Sequence, residues 1–261
     1  MQRLAFVLGL ALGCLNGPAA PAAEITVLSA GAMRSVVQEL VAPFERASGD
    51  HVTITYGTAG EVDKRIAAHE VFDVAVATKP RLRTLETDGT IVAGSVVVIG
   101  RSPIALAVRQ GAAKPDIGSV EAFKKALLAA RSIAYTDPAS GGTSGIHMAK
   151  VMHDLGIADE VQPKTKLVTG QPGAPPSVGE AVARGEAELG LQPISELANV
   201  PGIEIVGTIP EQLQTPDLTY AAGLPTSGNE PHAGAPFIKF LAGPSGEAIV
   251  KAKGLVLGDG G

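Results

Sequence analysis

From Glu24 onward the chain alternates short β-type runs with helical periodicities, and it does so twice. Ile25 to Leu28 is a β-type run, and Ser35 to Ala47 then sets Val36, Val37, Leu40, Val41 and Phe44 on one helical face. Pro43 inside that segment predicts a kink or an early end. His51 to Tyr56 alternates as a strand, Glu61 to His69 reads as a helix, and Phe72 to Ala77 and Val92 to Ile99 are further β-type runs. A second unit follows. Pro103 to Val108, Ser132 to Tyr135, Glu188 to Gln192, Glu204 to Gly207 and Leu218 to Leu224 read as strands. Val120 to Ala130, with Ser119 at its N-cap, Ile146 to Leu155 and Val178 to Ala183 read as helices, and Phe237 to Leu241 and Gly246 to Lys253 close the chain. Alternation of this kind specifies an α/β fold of mainly parallel sheets flanked by helices. Two units with a return to the first predict two lobes, residues 23–102 plus 225–261 and residues 103–224. The second includes both crossing strands, Pro103–Val108 and Leu218–Leu224.

The first 22 residues have a different character. A basic start, Met1-Gln2-Arg3, leads into the uncharged apolar run Leu4 to Leu12, then Asn16-Gly17-Pro18 and the small residues Ala19 to Ala23. This is the pattern of a secretory signal peptide, with Ala20-Pro21-Ala22 as the cleavage motif. The apolar run is about half the ~20 residues a spanning helix needs. A weaker alternative is lipidation at Cys14 after Ala11-Leu12-Gly13. Cys14 is the only cysteine, so the exported chain has no disulfide. About 240 residues remain, enough for two lobes of ordinary domain size. A periplasmic location is expected.

The chain carries 21 Lys+Arg against 26 Asp+Glu, a net charge of -5. That balance excludes the basic surface of a nucleic-acid binder, and it means that any bound anion must be held by local dipoles and hydrogen bonds. With no Trp and few aromatics, a site that stacks sugar rings is disfavoured. No metal-ligand spacing, Ser/His/Asp set or cofactor motif is present, and the five His are scattered.

Four loops stand between strands and helices: Ser29-Ala30-Gly31-Ala32, Gly57-Thr58-Ala59-Gly60, Gly142-Thr143-Ser144-Gly145 and Pro176-Ser177-Val178-Gly179. Each combines small residues with a hydroxyl. Unpaired N–H groups and the positive end of the helix dipole hold anions at such places. In open α/β sheets ligands sit at the carboxyl ends of the strands. Taken singly, Thr58-Ala-Gly-Glu61 and Ser177-Val-Gly-Glu180 are capping boxes whose hydroxyls serve their own helices. Recurrence in both halves points beyond capping to a ligand.

In that order and spacing, ITVLSAGAM (Ile25–Met33), GTAG (Gly57–Gly60), FDVAVAT (Phe72–Thr78), IAYTDPASGGTSG (Ile133–Gly145) and SVGEAVARGEAELGLQP (Ser177–Pro193) make the chain resemble the periplasmic molybdate-binding protein family. The resemblance covers nearly the whole mature chain. It implies a periplasmic-binding-protein fold of type II, a small anion held between two lobes, and an ABC permease of the inner membrane as partner, with the protein acting as a monomer. It assigns ligand hydroxyls to Ser29 and Thr58, and backbone N–H contacts to Ser144, or Thr143 beside it, and to Val178; the loops themselves add Ala30, Gly31, Ala59 and Ser177 as candidates. The family's tyrosine position holds Pro193. Gln192 beside it is the candidate replacement donor, although strand alternation turns it to the opposite face.

LAVRQGAAKPDI (Leu106–Ile117), GEAELGLQPISEL (Gly185–Leu197) and PGIEIVGTIPEQLQ (Pro201–Gln214) also resemble a branch of this fold that includes aconitate isomerase. That makes a small carboxylate a second ligand class and isomerisation of cis- and trans-aconitate the alternative activity. Arg34, Lys79 and Arg109 are the cations available to such a substrate, and His147 is a candidate base. Each is also an ordinary solvated side chain, and no fixed acid–base pair is legible. Binding is the expectation.

Overall fold

The computed structural model describes residues 22–170 and 177–258. The expected export signal, through residue 21, and the QPGAPP stretch at 171–176 lie outside them. The elements run β1 (Glu24–Ala30), α1 (Arg34–Ser48), β2 (His51–Gly57), α2 (Ala59–Ala67), β3 (Val74–Thr78), α3 (Lys79–Thr87), β4 (Val97–Arg101) and β5 (Ile104–Arg109). Then come α4 (Val120–Ala129), β6 (Ile133–Thr136), α5 (Thr143–Asp154), α6 (Ala158–Val161), β7 (Thr165–Val168), α7 (Val178–Ala183), β8 (Leu189–Pro193) and α8 (Ile194–Leu197). β9 (Ile203–Thr208), β10 (Thr219–Gly223), α9 (Pro231–Leu241), α10 (Pro244–Ala252) and β11 (Val256–Leu257) complete the chain.

Two sheets organise the molecule. The first has the order β11-β4-β10-β3-β1-β2 and the second β7-β6-β8-β5-β9. The pairs β1/β2, β1/β3, β6/β7 and β6/β8 are parallel. β10 is antiparallel to β3 and β4, β11 to β4, and β5 to β8 and β9. The sheets are therefore mixed rather than mainly parallel. A strand arriving from the other lobe enters at the carboxyl ends of the parallel strands, so it must run against them. Tyr220 at the start of β10 pairs with Thr78 at the end of β3, and Ile104 at the start of β5 pairs with Pro193 at the end of β8.

This placement corrects the boundary expected from sequence. Leu218–Leu224 was assigned to the second lobe, yet β10 lies in the first sheet, between β4 and β3. The crossings themselves are short. Ser102 donates its N–H to Leu218 O at 3.0 Å, and its hydroxyl meets that of Ser195 at 2.8 Å, both buried. Gln214 clamps Ile104 from both sides, Oε1 accepting its N–H and Nε2 donating to its carbonyl, each at 2.9 Å.

Two local expectations also shift. α1 runs through Pro43 to Ser48. The local cost of an interior proline is about 3 kcal/mol, but Val36, Val37, Leu40 and Phe44 are buried along the same helix, each at roughly 1.5–3 kcal/mol of apolar burial. β4 starts at Val97, not Val92, because Ser95 N–H turns back onto Val92 O and Gly94 takes the left-handed conformation (φ 79).

The main core passes under both sheets. In the first lobe Phe44 meets Phe237 edge-on, with centroids 4.9 Å apart at 67°. Phe237 is fully buried. Phe237→Ala should lower stability by about 3–5 kcal/mol, read as a lower urea midpoint with an unchanged slope.

Candidate functional site

The carboxyl ends of β1, β2 and β3 face those of β6 and β8 across a cleft. The cavity between them is about 40 Å³ and is lined by Ala30, Gly31 and Ala32, by Gly57, Thr58 and Ala59, by Thr78 and Thr136, by Gly142, Thr143 and Ser144, and by Pro193, Glu196 and Tyr220. A buried water needs roughly 10–15 Å³ of such space, so the cavity has room for an ion about the size of a small cluster of waters.

Six of the ten residues nominated from sequence meet here: Ala30, Gly31, Thr58, Ala59, Thr143 and Ser144. The other four do not line the cleft. Ser29 is fully buried in β1 and donates its hydroxyl to Ala30 O at 3.1 Å. Ser177 caps α7 by accepting Glu180 N–H at 3.3 Å, and it lines a separate, larger cavity. Val178, nominated for its backbone N–H, gives that N–H to Gln192 Oε1 at 3.0 Å. Gln192 is buried on the α7 side of β8, as strand alternation requires, and its amide also hydrogen-bonds the Glu196 carboxyl. The side chain expected to replace a donor in the site therefore consumes one elsewhere.

The helix ends at the cleft differ in what they leave unpaired. At α2, Thr58 accepts Glu61 N–H at 3.2 Å, and Glu61 Oε2 accepts Thr58 N–H at 2.6 Å, a complete capping box. α5 begins at Gly142 with no side-chain cap. The N–H groups of its first turn, at Thr143 and Ser144, are thus left for a partner of another kind. Just before it, at the end of β6, Thr136 is 2 % exposed. Its Oγ1 is buried without any hydrogen-bond partner while its residue lines the cleft. An unpaired buried hydroxyl costs roughly 1–3 kcal/mol, and the Thr136 hydroxyl is a donor at the cleft that no group among the described residues uses.

The lobes touch above this cavity. Gly60 N–H donates to Gly141 O at 3.2 Å, and Thr58 Oγ1 donates to Ser140 O at 2.9 Å. Gly141 takes φ 74, and a Cβ on it would stand 2.8 Å from Gly60 Cα. A Cβ on Gly60 would stand 2.9 Å from Ser140 O and 3.1 Å from Gly141 Cα. Only glycine at both positions permits so close an approach. On the other side, Ser35 Oγ donates to Ser195 O at 2.8 Å.

Sequence reasoning missed Thr78, Thr136, Glu196 and Tyr220. Thr78 and Thr136 each end a strand, Thr78 directly at the start of α3 and Thr136 ahead of the loop that opens α5, and that position was the available signal. Glu196, on the short α8, lines both the cleft and the larger cavity. Burial pushes its carboxyl up to about 8, against the opposing pull of the Gln192 hydrogen bond and of Arg34. The Tyr220 phenol is raised by burial and by Glu196. Arg34 lines the larger cavity and lies 4.6 Å over the Tyr56 ring. The Tyr56 phenol rises to about 12 through burial, against the opposing pull of Arg34. His147 gives its Nε2 to Leu213 O at 2.7 Å, and Arg109 lines a distant surface cavity. Neither lines the cleft.

Known proteins share this architecture. Residues 25–256 match the family model described as bacterial extracellular solute-binding protein. The aconitate isomerase of a Pseudomonas species is 35% identical over 243 residues, covering 91% of this chain and 89% of that protein. The molybdate-binding protein ModA of Azotobacter vinelandii is 29% identical over 267 residues, 97% of each. Among solved structures, the periplasmic molybdate-binding protein of Azotobacter vinelandii superimposes with a TM-score of 0.74 at 23% identity, over 90% of this chain and 100% of that one. The sulfate-binding protein SubI of Mycobacterium tuberculosis gives 0.68 at 15%, over 91% and 88%.

Gly60→Ala should hold the lobes apart while leaving each one folded. If it reduces the closed population tenfold, anion affinity falls about tenfold, with the thermal midpoint of the unliganded protein unchanged. Calorimetric titration beside thermal melting reads both.

Proposed function

The chain belongs to the bacterial extracellular solute-binding protein family, and from that premise we propose that it captures a small anion between its two lobes and delivers it to an ABC importer. The anion is a molybdate-like oxyanion or a small carboxylate. The observation that carries this reading is the buried Thr136 hydroxyl, unpaired and lining the cleft beside the uncapped start of α5. An anion accepts from both. The chain is net negative, and among the described residues the cleft lining holds no Lys or Arg, so donors and the helix dipole do the holding. A cavity of about 40 Å³ suits an ion with a compact head. Ligands named for the relatives, molybdate and sulfate, are of that kind.

In this reading the first 22 residues direct export to the periplasm and are removed. The monomeric protein then closes on its ligand by hinge motion at the two crossings and docks closed on an inner-membrane permease.

Thermal melting with molybdate, tungstate, sulfate, citrate and aconitate tests the reading. A true ligand at a hundredfold excess over Kd stabilises by about 2.7 kcal/mol. No shift with any of the five sinks it. Thr136→Val gives a sharper check. The variant should be as stable as the parent when unliganded, since it deletes an unpaired hydroxyl. It should bind the anion about 10–100-fold more weakly, the worth of one hydrogen bond to a charged group.

A second reading rests on Glu196. It is a carboxyl at the cleft that carries a proton near neutral pH, and the chain is 35% identical to an aconitate isomerase. Isomerisation removes a proton from the methylene carbon, shifts the double bond and returns a proton to the former vinylic carbon. Only the ionised form of Glu196 can take that proton, and the acid so formed then returns it. Incubation with cis-aconitate, followed by NMR, decides it. Appearance of the trans isomer, lost in Glu196→Gln, supports an isomerase, and no conversion at stoichiometric protein excludes one.

A further inference from the structure

We propose that Glu196 takes part in capture as a neutral carboxylic acid, so that the anion and one proton are bound together. This rests on the reading of the cleft as an anion site. Its starting point is placement. Glu196 stands on α8 between the anion cavity and the larger cavity behind it, lining both. An ionised carboxylate there would face the captured anion across a space of about 40 Å³, like charge against like charge. A neutral acid in the same place is a donor.

The surroundings of Glu196 fit the neutral form. From β8, the Gln192 amide has its oxygen held by Val178 N–H at 3.0 Å, which leaves its NH₂ toward the Glu196 carboxyl. That bond uses acceptor capacity of the carboxyl, and the neutral acid has an O–H to donate besides. From β10, Tyr220 faces the carboxyl, and burial together with Glu196 keeps it a neutral phenol. From α1, Arg34 is the one cation among the described residues that acts on it, and Arg34 is also engaged over the Tyr56 ring at 4.6 Å. Glu180 and Arg184 line the larger cavity from α7 and the turn after it, and they pair with each other at 3.4 Å. Burial outweighs the pull of Arg34 and Gln192 and raises the Glu196 carboxyl to about 8.

The sign follows directly. Below pH 8 the unliganded protein already holds the proton, and the anion binds without changing it. Above pH 8 the unliganded carboxyl is ionised. Binding must then take up a proton, and affinity falls as pH rises.

Calorimetric titration of the full mature protein with molybdate, and separately with trans-aconitate, tests this at pH 7 and pH 9 in two buffers of different ionisation heat. The expected result is uptake of about 0.1 proton per anion at pH 7 and nearly one at pH 9, with Kd rising toward tenfold per pH unit above 8. In Glu196→Gln, proton uptake should vanish at both values and Kd should be flat with pH. Binding without uptake in the parent protein at pH 9 overturns the proposal. So does uptake that persists in the variant. Because the parent measurement is decisive alone, a variant that fails to fold leaves the test intact. Failure of both probes to bind at pH 7 removes the capture reading itself, an outcome distinct from binding that ignores pH.

Discussion

A chain with more carboxylates than cations has to hold an anion with donors that its own fold leaves unpaired. Three helix starts spend a donor internally: Thr58 on α2, Ser119 on α4 and Ser177 on α7 each accept an N–H from their own first turn. α5 is not capped in this way, and the Thr136 hydroxyl at the end of the preceding strand is likewise unspent. The rest of the architecture serves to bring this donor set opposite the small-residue loops of the first lobe. β5 and β10 run against the parallel strands because they enter from the cleft side. That is also why Tyr220, the second residue of β10, arrives at the cavity.

How much of this could be read from the sequence follows from the range of the interactions involved. Alternating periodicities gave the two α/β units, since they depend on neighbours three or four residues apart. Three of the four hydroxyl loops converge, because strand ends before helices meet by the topology of the sheets. What escaped depends on distance along the chain. Whether β10 belongs to the first or second sheet cannot be told from a run of apolar residues that looks the same in either. The Val178 N–H is spent on a glutamine 14 residues away, and no local pattern announces that pairing. Glu196 reads as an ordinary charged residue on a short helix until the cleft closes on it.

The Gln192-Pro193 dipeptide shows how a departure in sequence becomes a change in chemistry. Pro193 lines the cleft and contributes no N–H, and Gln192 withdraws the Val178 N–H from use by a ligand. The Val178 N–H that the family resemblance assigned is thereby spent, and the family's tyrosine hydroxyl has no counterpart on this strand. Tyr220 presents a tyrosine to the same cavity from a different strand, and Glu196 stands beside it. A site that trades a backbone N–H for ionisable side chains no longer selects on geometry alone. It also selects on which protonation state each partner can adopt.

Closure and ligand capture then share one loop. The carbonyls of Ser140 and Gly141 accept from Thr58 and Gly60 of the opposite lobe, while the N–H groups of Thr143 and Ser144, two or three residues on, open α5 toward the cavity. Peptide groups in one rigid turn thus face two ways, carbonyls to the other lobe and N–H groups to the ligand. The Thr58 hydroxyl is spent on the lobe contact, so its hydrogen is not available to the anion in the closed form. The donors that hold the lobes and the donors that hold the ion are therefore different groups. They lie on one short segment, so an anion that draws in the α5 N–H groups also sets the carbonyls that latch the lobes.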